Sequence, residues 1–204
     1  MYNPRHFATQ DLTLALQVIA ENPLGLLIGP DAAGASFGTH VPLTAFPDGD
    51  GFYLEGHMAR ANPHWAWLSE QKAMLAVFSI PGAYVSPKFY DSEQNVPTWN
   101  YVAVHVHGDI ELIDDPADKD ALLKRLIGKH EPAYAAQWKG LPPDYQQKML
   151  GAIVGFRIRV TRWEAKFKLS QNRAAAERER IKEAFTNGNA PEQALARWME
   201  QLGL

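Results

Sequence analysis

Between residues 9 and 22 apolar side chains fall at Leu12, Ala15, Leu16 and Ile19, a spacing of three and four. That spacing predicts a helix, with Thr9 or Asp11 near its start and Asn22-Pro23 as its stop. "LGLLIG" (24–29) then reads as a short buried strand, and "SFGTHVP" (36–42) as a second one after the turn-rich "PDAAG". "PDGDG" (47–51) is a hairpin signal, so 36–42 is expected to pair antiparallel with 52–56. "AMLAVFSI" (73–80) reads as a central strand. "NYVAVHVHGDIELI" (100–113) alternates like a long strand, with a bulge or bend expected at Gly108. Residues 153–169 hold one long strand or two short ones.

Helical patterns dominate after residue 115. "DPADKDALLKRLIGKHE" (115–131) has an acidic, proline-bearing start and a basic end, matching the helix dipole. "PPDYQQKMLGAI" (142–153) is a further helix. Residues 172–185 and 191–202 form a C-terminal helical pair split by "TNGNA". Several antiparallel strands with peripheral helices predict an α+β domain centred on a β-barrel. We expect a barrel domain over 1–172 and a helical extension over 173–204.

Composition narrows the function classes. The 204 residues are 46% hydrophobic and 21% charged, an ordinary globular balance. The apolar runs are strand-sized, too short to span a bilayer. The opening "MYNPRHF" lacks the charged-then-apolar pattern of an export signal. There is no cysteine, which excludes disulfides, thiolate metal sites and a cysteine nucleophile, and fits the cytoplasm. The formal charge of −3 sets direct DNA binding at a disadvantage. "RIRVTRWEAKFK" (157–168) is a local basic cluster, whereas "RAAAERERIK" (173–182) mixes both signs and reads as a solvated helix face.

The densest polar chemistry lies in "FYLEGHMARANPHWAWL" (52–68), which starts as a strand and ends as a helix. Asn62-Pro63 is a helix-start signature, and helix N-termini attract anions. Arg60 precedes it and could fork onto a phosphate, with His57 donating a further bond. The plainer reading makes Asn62 a cap, leaves Arg60 in solvent and packs His64 beside Trp65. Three other stretches favour the binding reading. Thr39 and His40 would approach His57 through the expected hairpin. Trp99, Asn100 and Tyr101 put a large aromatic, an amide and a phenol at a strand start, a combination suited to flat heterocycles. "AKFKLSQNR" (165–173) sets Lys166 and Lys168 at same-face spacing before a cluster of Ser170, Gln171, Asn172 and Arg173. His105 and His107 share a strand face but have no third ligand at metal spacing, so no metal site is expected. The chain has no Ser-His-Asp motif, no Gly-rich phosphate loop and no zinc pattern.

"MYNPRHF", "GHMARANPHW", "YVSPKFY", "VPTWNYVAVHVHG" and "KFKLSQNR", in that order, resemble the PaiB family, described as FMN-binding negative transcriptional regulators. The resemblance runs from residue 1 to about 173. It implies the FMN-binding split β-barrel, a homodimer with flavin at the subunit interface, and a distant likeness to pyridoxamine-phosphate oxidases. By that likeness "HMAR" occupies the phosphate corner, which gives His57, Met58, Ala59 and Arg60 cofactor roles. The fold also implies that Thr39, Trp99 and residues 166–173 converge on the flavin. Three functions follow: an FMN-linked regulator or sensor, an FMN-dependent oxidoreductase, and haem handling with His64 or His130 as axial ligand. Regulation with direct DNA contact is one form of the first. No residue announces itself as an obligatory acid or base; His40, His105 and Tyr101 are the candidate proton donors.

Overall fold

The computed structural model describes residues 1–71 and 74–204, so Ala73, the first residue of one predicted strand, lies outside the described residues. Its strands are β1 (Ala8–Thr9), β2 (Leu24–Pro30), β3 (Ser36–Asp48), β4 (Gly51–Ala59), β5 (Met74–Val85), β6 (Thr98–Ile113) and β7 (Ile153–Lys168). The α-helices are α1 (Leu12–Glu21), α2 (His64–Gln71), α3 (Pro116–His130), α4 (Tyr134–Gly140), α5 (Pro143–Gly151), α6 (Ala175–Thr186) and α7 (Ala190–Gln201). Strand neighbours follow the order β1-β7-β4-β3-β2-β5-β6, and β6 also pairs with β7. The architecture is an α+β split β-barrel.

The chain divides into two compact units. The first comprises Met1–Val18, Phe78–His105 and Glu164–Leu204. It contains β1 paired antiparallel with the end of β7, through Ala8↔Lys166 and Thr9↔Ala165. Phe78, Val102, Val104, Leu169, Ile181, Phe185, Leu195 and Met199 are buried there. α6 and α7 belong to this unit, and Trp198 meets Phe167 edge to face at 5.2 Å. Residues 173–204 therefore share a core with the strand that precedes them.

The second unit comprises Ile19–Val77 and Val106–Trp163. β4 pairs with β7 from Tyr53↔Arg159 to Ala59↔Ile153, and β2 pairs with β5 from Leu26↔Val77 to Ile28↔Leu75. Leu27, Leu43, Leu54, Leu68, Leu122, Phe156 and Ile158 are fully buried. β3 corrects the predicted hairpin. Its first half, 36–42, pairs with β2, and only 43–48 pairs with 51–56 of β4. The change of partner falls at Pro42, which has no N–H to give to a ladder. The predicted route from Thr39 and His40 to His57 falls with that register.

Gly108 also has a different role from the one expected. β6 runs through it without interruption. A Cβ there would stand 2.3 Å from the Arg159 carbonyl oxygen, so glycine allows two backbones to approach closely. The 153–169 region forms one strand, β7. α4 had no strong periodic signal, and its N-cap Ala133 makes no side-chain cap bond.

Candidate functional site

In the second unit the strand-to-helix corner is a closed hydrogen-bond network. Asn62 caps α2: its Oδ1 accepts from the His64 backbone N–H at 3.0 Å. The Asn62 amide donates to the Thr39 hydroxyl at 3.2 Å, and that hydroxyl lies 2.8 Å from His64 Nδ1. The simplest assignment has Thr39 giving its hydrogen to Nδ1, which puts the ring proton on Nε2. His64 is fully buried, Phe37 meets its ring at 5.0 Å, and Nε2 has no partner. Burial lowers the His64 pKa from its usual 6.5, so the ring is neutral.

Arg60 is committed to protein groups. Its Nε donates to the Gly151 carbonyl at 2.9 Å, and Nη2 donates to the Ile153 carbonyl at 3.1 Å and to the Asp114 carboxylate. Hydrogen bonds from Arg60 and Lys119 hold Asp114 below the usual carboxylate range. A phosphate taken by Arg60 would have to compete with that carboxylate. Met58 is buried in the core, Ala59 is exposed on the register opposite Ile153, and His40 is exposed opposite Leu26. His57 is half-buried and lines a cavity with residues of α3 and α4. The structure thus joins Thr39, Asn62 and His64, and leaves His40 and His57 out of that cluster.

In the first unit the start of β6 and the end of β7 bound a cavity of about 210 Å³. Lys168, Asn100, Ser170, Asn172, Arg173 and Thr98 line it. Asn100 is fully buried; its Oδ1 accepts from the Ser170 hydroxyl at 3.1 Å, and its Nδ2 has no partner. Ser170 has φ +64°, the one positive φ outside glycine among the described residues. Such a conformation is costly for serine and concentrates at functional sites. Lys168 donates to the Thr98 hydroxyl; its pKa is lowered, first by burial and then by Lys166. Lys166 is buried, with its ammonium 5.3 Å from the Tyr101 ring centre and 3.1 Å from the Tyr2 carbonyl. Arg173 stacks on Tyr90 at 3.8 Å and donates to Asn95 at 2.7 Å. Gln171 clasps the turn itself, accepting from the Leu169 N–H at 2.8 Å. Trp99 is 56% exposed and meets Tyr84 edge to face at 6.1 Å.

Sequence reasoning missed Thr98 as a lining residue, and it reached Ser170 only as part of the stretch 166–173, without its backbone conformation. Serine carries no signal for a left-handed backbone, so only the fold reveals it.

The profile of a family described as "Putative FMN-binding domain" matches residues 1–162. The chain belongs to this family. Its cofactor at the family level is FMN. The Bacillus subtilis (strain 168) protein called Protease synthase and sporulation protein PAI 2 is 33% identical over 193 residues, covering 94% of this chain and 92% of that protein. This places the chain with the PaiB type. Among solved structures, the FAD and heme binding protein from Mycobacterium smegmatis superposes with a TM-score of 0.64 at 16% identity, over 84% of this chain and 78% of that one. The flavocytochrome Anf3 from Azotobacter vinelandii gives 0.61 at 22% identity, over 80% and 71%. Both share the fold.

Residues of the first unit fit such a cofactor. Asn100 has a buried donor without a partner, and Lys168 and Arg173 bring positive charge to the same cavity. No carboxylate is among the described residues that line it.

Proposed function

We propose that this chain is a flavin-linked sensor in negative regulation, with the FMN phosphate held in the first unit by Lys168, Asn100, Ser170 and Arg173. One observation carries the reading: a cavity whose polar lining is donors and cations, with no carboxylate among the described residues that line it, and which includes the buried Asn100 with its unused N–H. An anion suits that lining, because charge-assisted bonds in a partly dry site are strong. When bound, FMN supplies reversible redox chemistry. The protein's own residues position it: Lys168 and Arg173 offset the charge, the Asn100–Ser170 pair fixes the donors, and exposed Trp99 and Tyr84 offer aromatic surface. Lys166, Tyr101, Gln171 and Asn172 support the same stretch. Thr39, Asn62 and His64 brace the α2 corner, and Arg60 serves there as a brace.

The regulatory part is supported by the likeness to PAI 2, whose name refers to protease synthase and sporulation. Tyr84, Val96 and Trp99 are 48%, 73% and 56% exposed, as expected if a second copy covers them in a homodimer. A cytoplasmic site of action fits the cysteine-free chain. Among the described residues, no helix is long and apolar enough to cross a membrane.

Fluorescence titration tests the site. Lys168→Ala should weaken FMN roughly 10- to 100-fold while leaving riboflavin nearly unchanged, as loss of a charge-assisted bond to phosphate predicts. Equal losses for the two flavins would remove Lys168 from the phosphate. A sensor also leaves NADH and NADPH unconsumed in the FMN-loaded state. Steady consumption would move the oxidoreductase reading ahead.

A further inference from the structure

β4 sends alternate side chains to opposite faces. Leu54 and Met58 enter the core, while Glu55 and His57 face the other way. Glu55 is fully buried and fully used: Arg125 of α3 donates to its two oxygens at 2.9 Å each, and Arg157 donates at 2.7 Å. His57, two residues on, is not. Its Nδ1 is buried and has no hydrogen-bond partner. Gly155 stands opposite it on β7 and contributes no side chain.

His57 opens onto a cavity of about 320 Å³ within the second unit, walled by Thr44, Leu123, Leu126, Ile127 and Tyr134. That volume is in the range of small-molecule sites, and so is the pattern of mostly apolar walls with a few polar groups, here His57, Thr44, His130 and Glu131. Among the described residues no lysine or arginine lines the cavity, and the Glu131 carboxylate lies at it beside the His130 imidazole, so an anion finds poor support there. A cation would face the desolvation that already disfavours charge on His57.

We infer that this cavity is a second ligand site, taking an uncharged, mostly apolar molecule of one or two rings that carries a hydroxyl group. The rings fill the space between the leucines, Ile127 and Tyr134. The hydroxyl meets His57 Nδ1. A hydroxyl both donates and accepts, so it satisfies either tautomer of the imidazole. The site shares no lining residue with the cavity assigned above to the FMN phosphate.

The test is a titration of the full chain with 4-methylphenol, followed through the ring nitrogens of His57 by NMR. The expected result is a saturable shift at Nδ1 with a Kd at or below about 1 mM, and toluene, which lacks the hydroxyl, binding at least about 10-fold more weakly. The same Kd is expected with FMN already bound. Ile127→Trp, which fills the cavity, should abolish the shift while the unfolding midpoint shows that the variant folds. Four outcomes overturn the inference. One is no saturation by about 10 mM; another is toluene binding as well as 4-methylphenol. A folded Ile127→Trp that binds unchanged is the third. Competition by FMN is the fourth, because it makes the cavity part of the flavin site. If Ile127→Trp does not fold, the 4-methylphenol and toluene comparison on the native chain still decides.

Discussion

Arg60 shows how one side chain can be legible in type and not in use. As a cation before a helix start it reads as a phosphate fork. In the folded second unit it ties the corner to Gly151, Ile153 and Asp114. Its side chain is 39% exposed, so the ionic part is screened and the two carbonyl bonds matter most. Arg60→Ala should lower stability by about 1–2 kcal/mol, measured by urea denaturation, with the FMN-to-riboflavin affinity ratio unchanged. A changed ratio without lost stability would return Arg60 to the phosphate. Asn62 is the contrasting case. Its cap is local, made to a backbone N–H two residues away, and the sequence showed it directly.

At the scale of elements, periodicity read the helices and strands well because a face is a local property. α3 is the clearest example, with Asp115 accepting from the Ala117 and Asp118 N–H groups, Pro116 first in the helix, and Lys129 and His130 in its last turn. Pairing was less legible. β3 alternates throughout, and nothing in its pattern says that it changes partner at Pro42. The strongest demand between elements is at Gly108, where β6 meets β7. A methyl group there would overlap the Arg159 carbonyl oxygen at 2.3 Å and press Ile158 at 2.9 Å. Gly108→Ala should therefore destabilise by about 1–3 kcal/mol in chemical denaturation. A neutral result would mean that the strands separate at little cost.

At the scale of the molecule, buried neutral imidazoles give stability a definite pH dependence. Burial lowers the pKa of both His57 and His64 from 6.5. In the unfolded chain these rings take up protons near 6.5, whereas in the folded chain they resist protonation until lower pH. Between those two values the unfolded state binds more protons, so stability falls as pH falls. Their contribution is complete above 6.5 and is lost as pH drops through the lowered folded values. The thermal midpoint should decline between about pH 7.5 and 5, and His57→Gln should flatten part of that slope. A midpoint that holds level over this window, or a slope that His57→Gln leaves intact, would place the protonation elsewhere.

The sequence by itself determined the class of fold and, through motifs that resemble a known family, the family and its cofactor, and it offered candidate side chains for a site. These rest on local periodicity, caps and ordered motifs, which the chain carries wherever it folds. Only the tertiary structure decided which of those side chains are already occupied. Arg60 meets Asp114 across 54 residues, and Asn100 meets Ser170 across 70. It also turned His57 towards α3 and set Ser170 in a left-handed backbone. The physical reason is that spacing tells which residues share a face of one element, while partnership and burial are set by whatever distant element packs against that face.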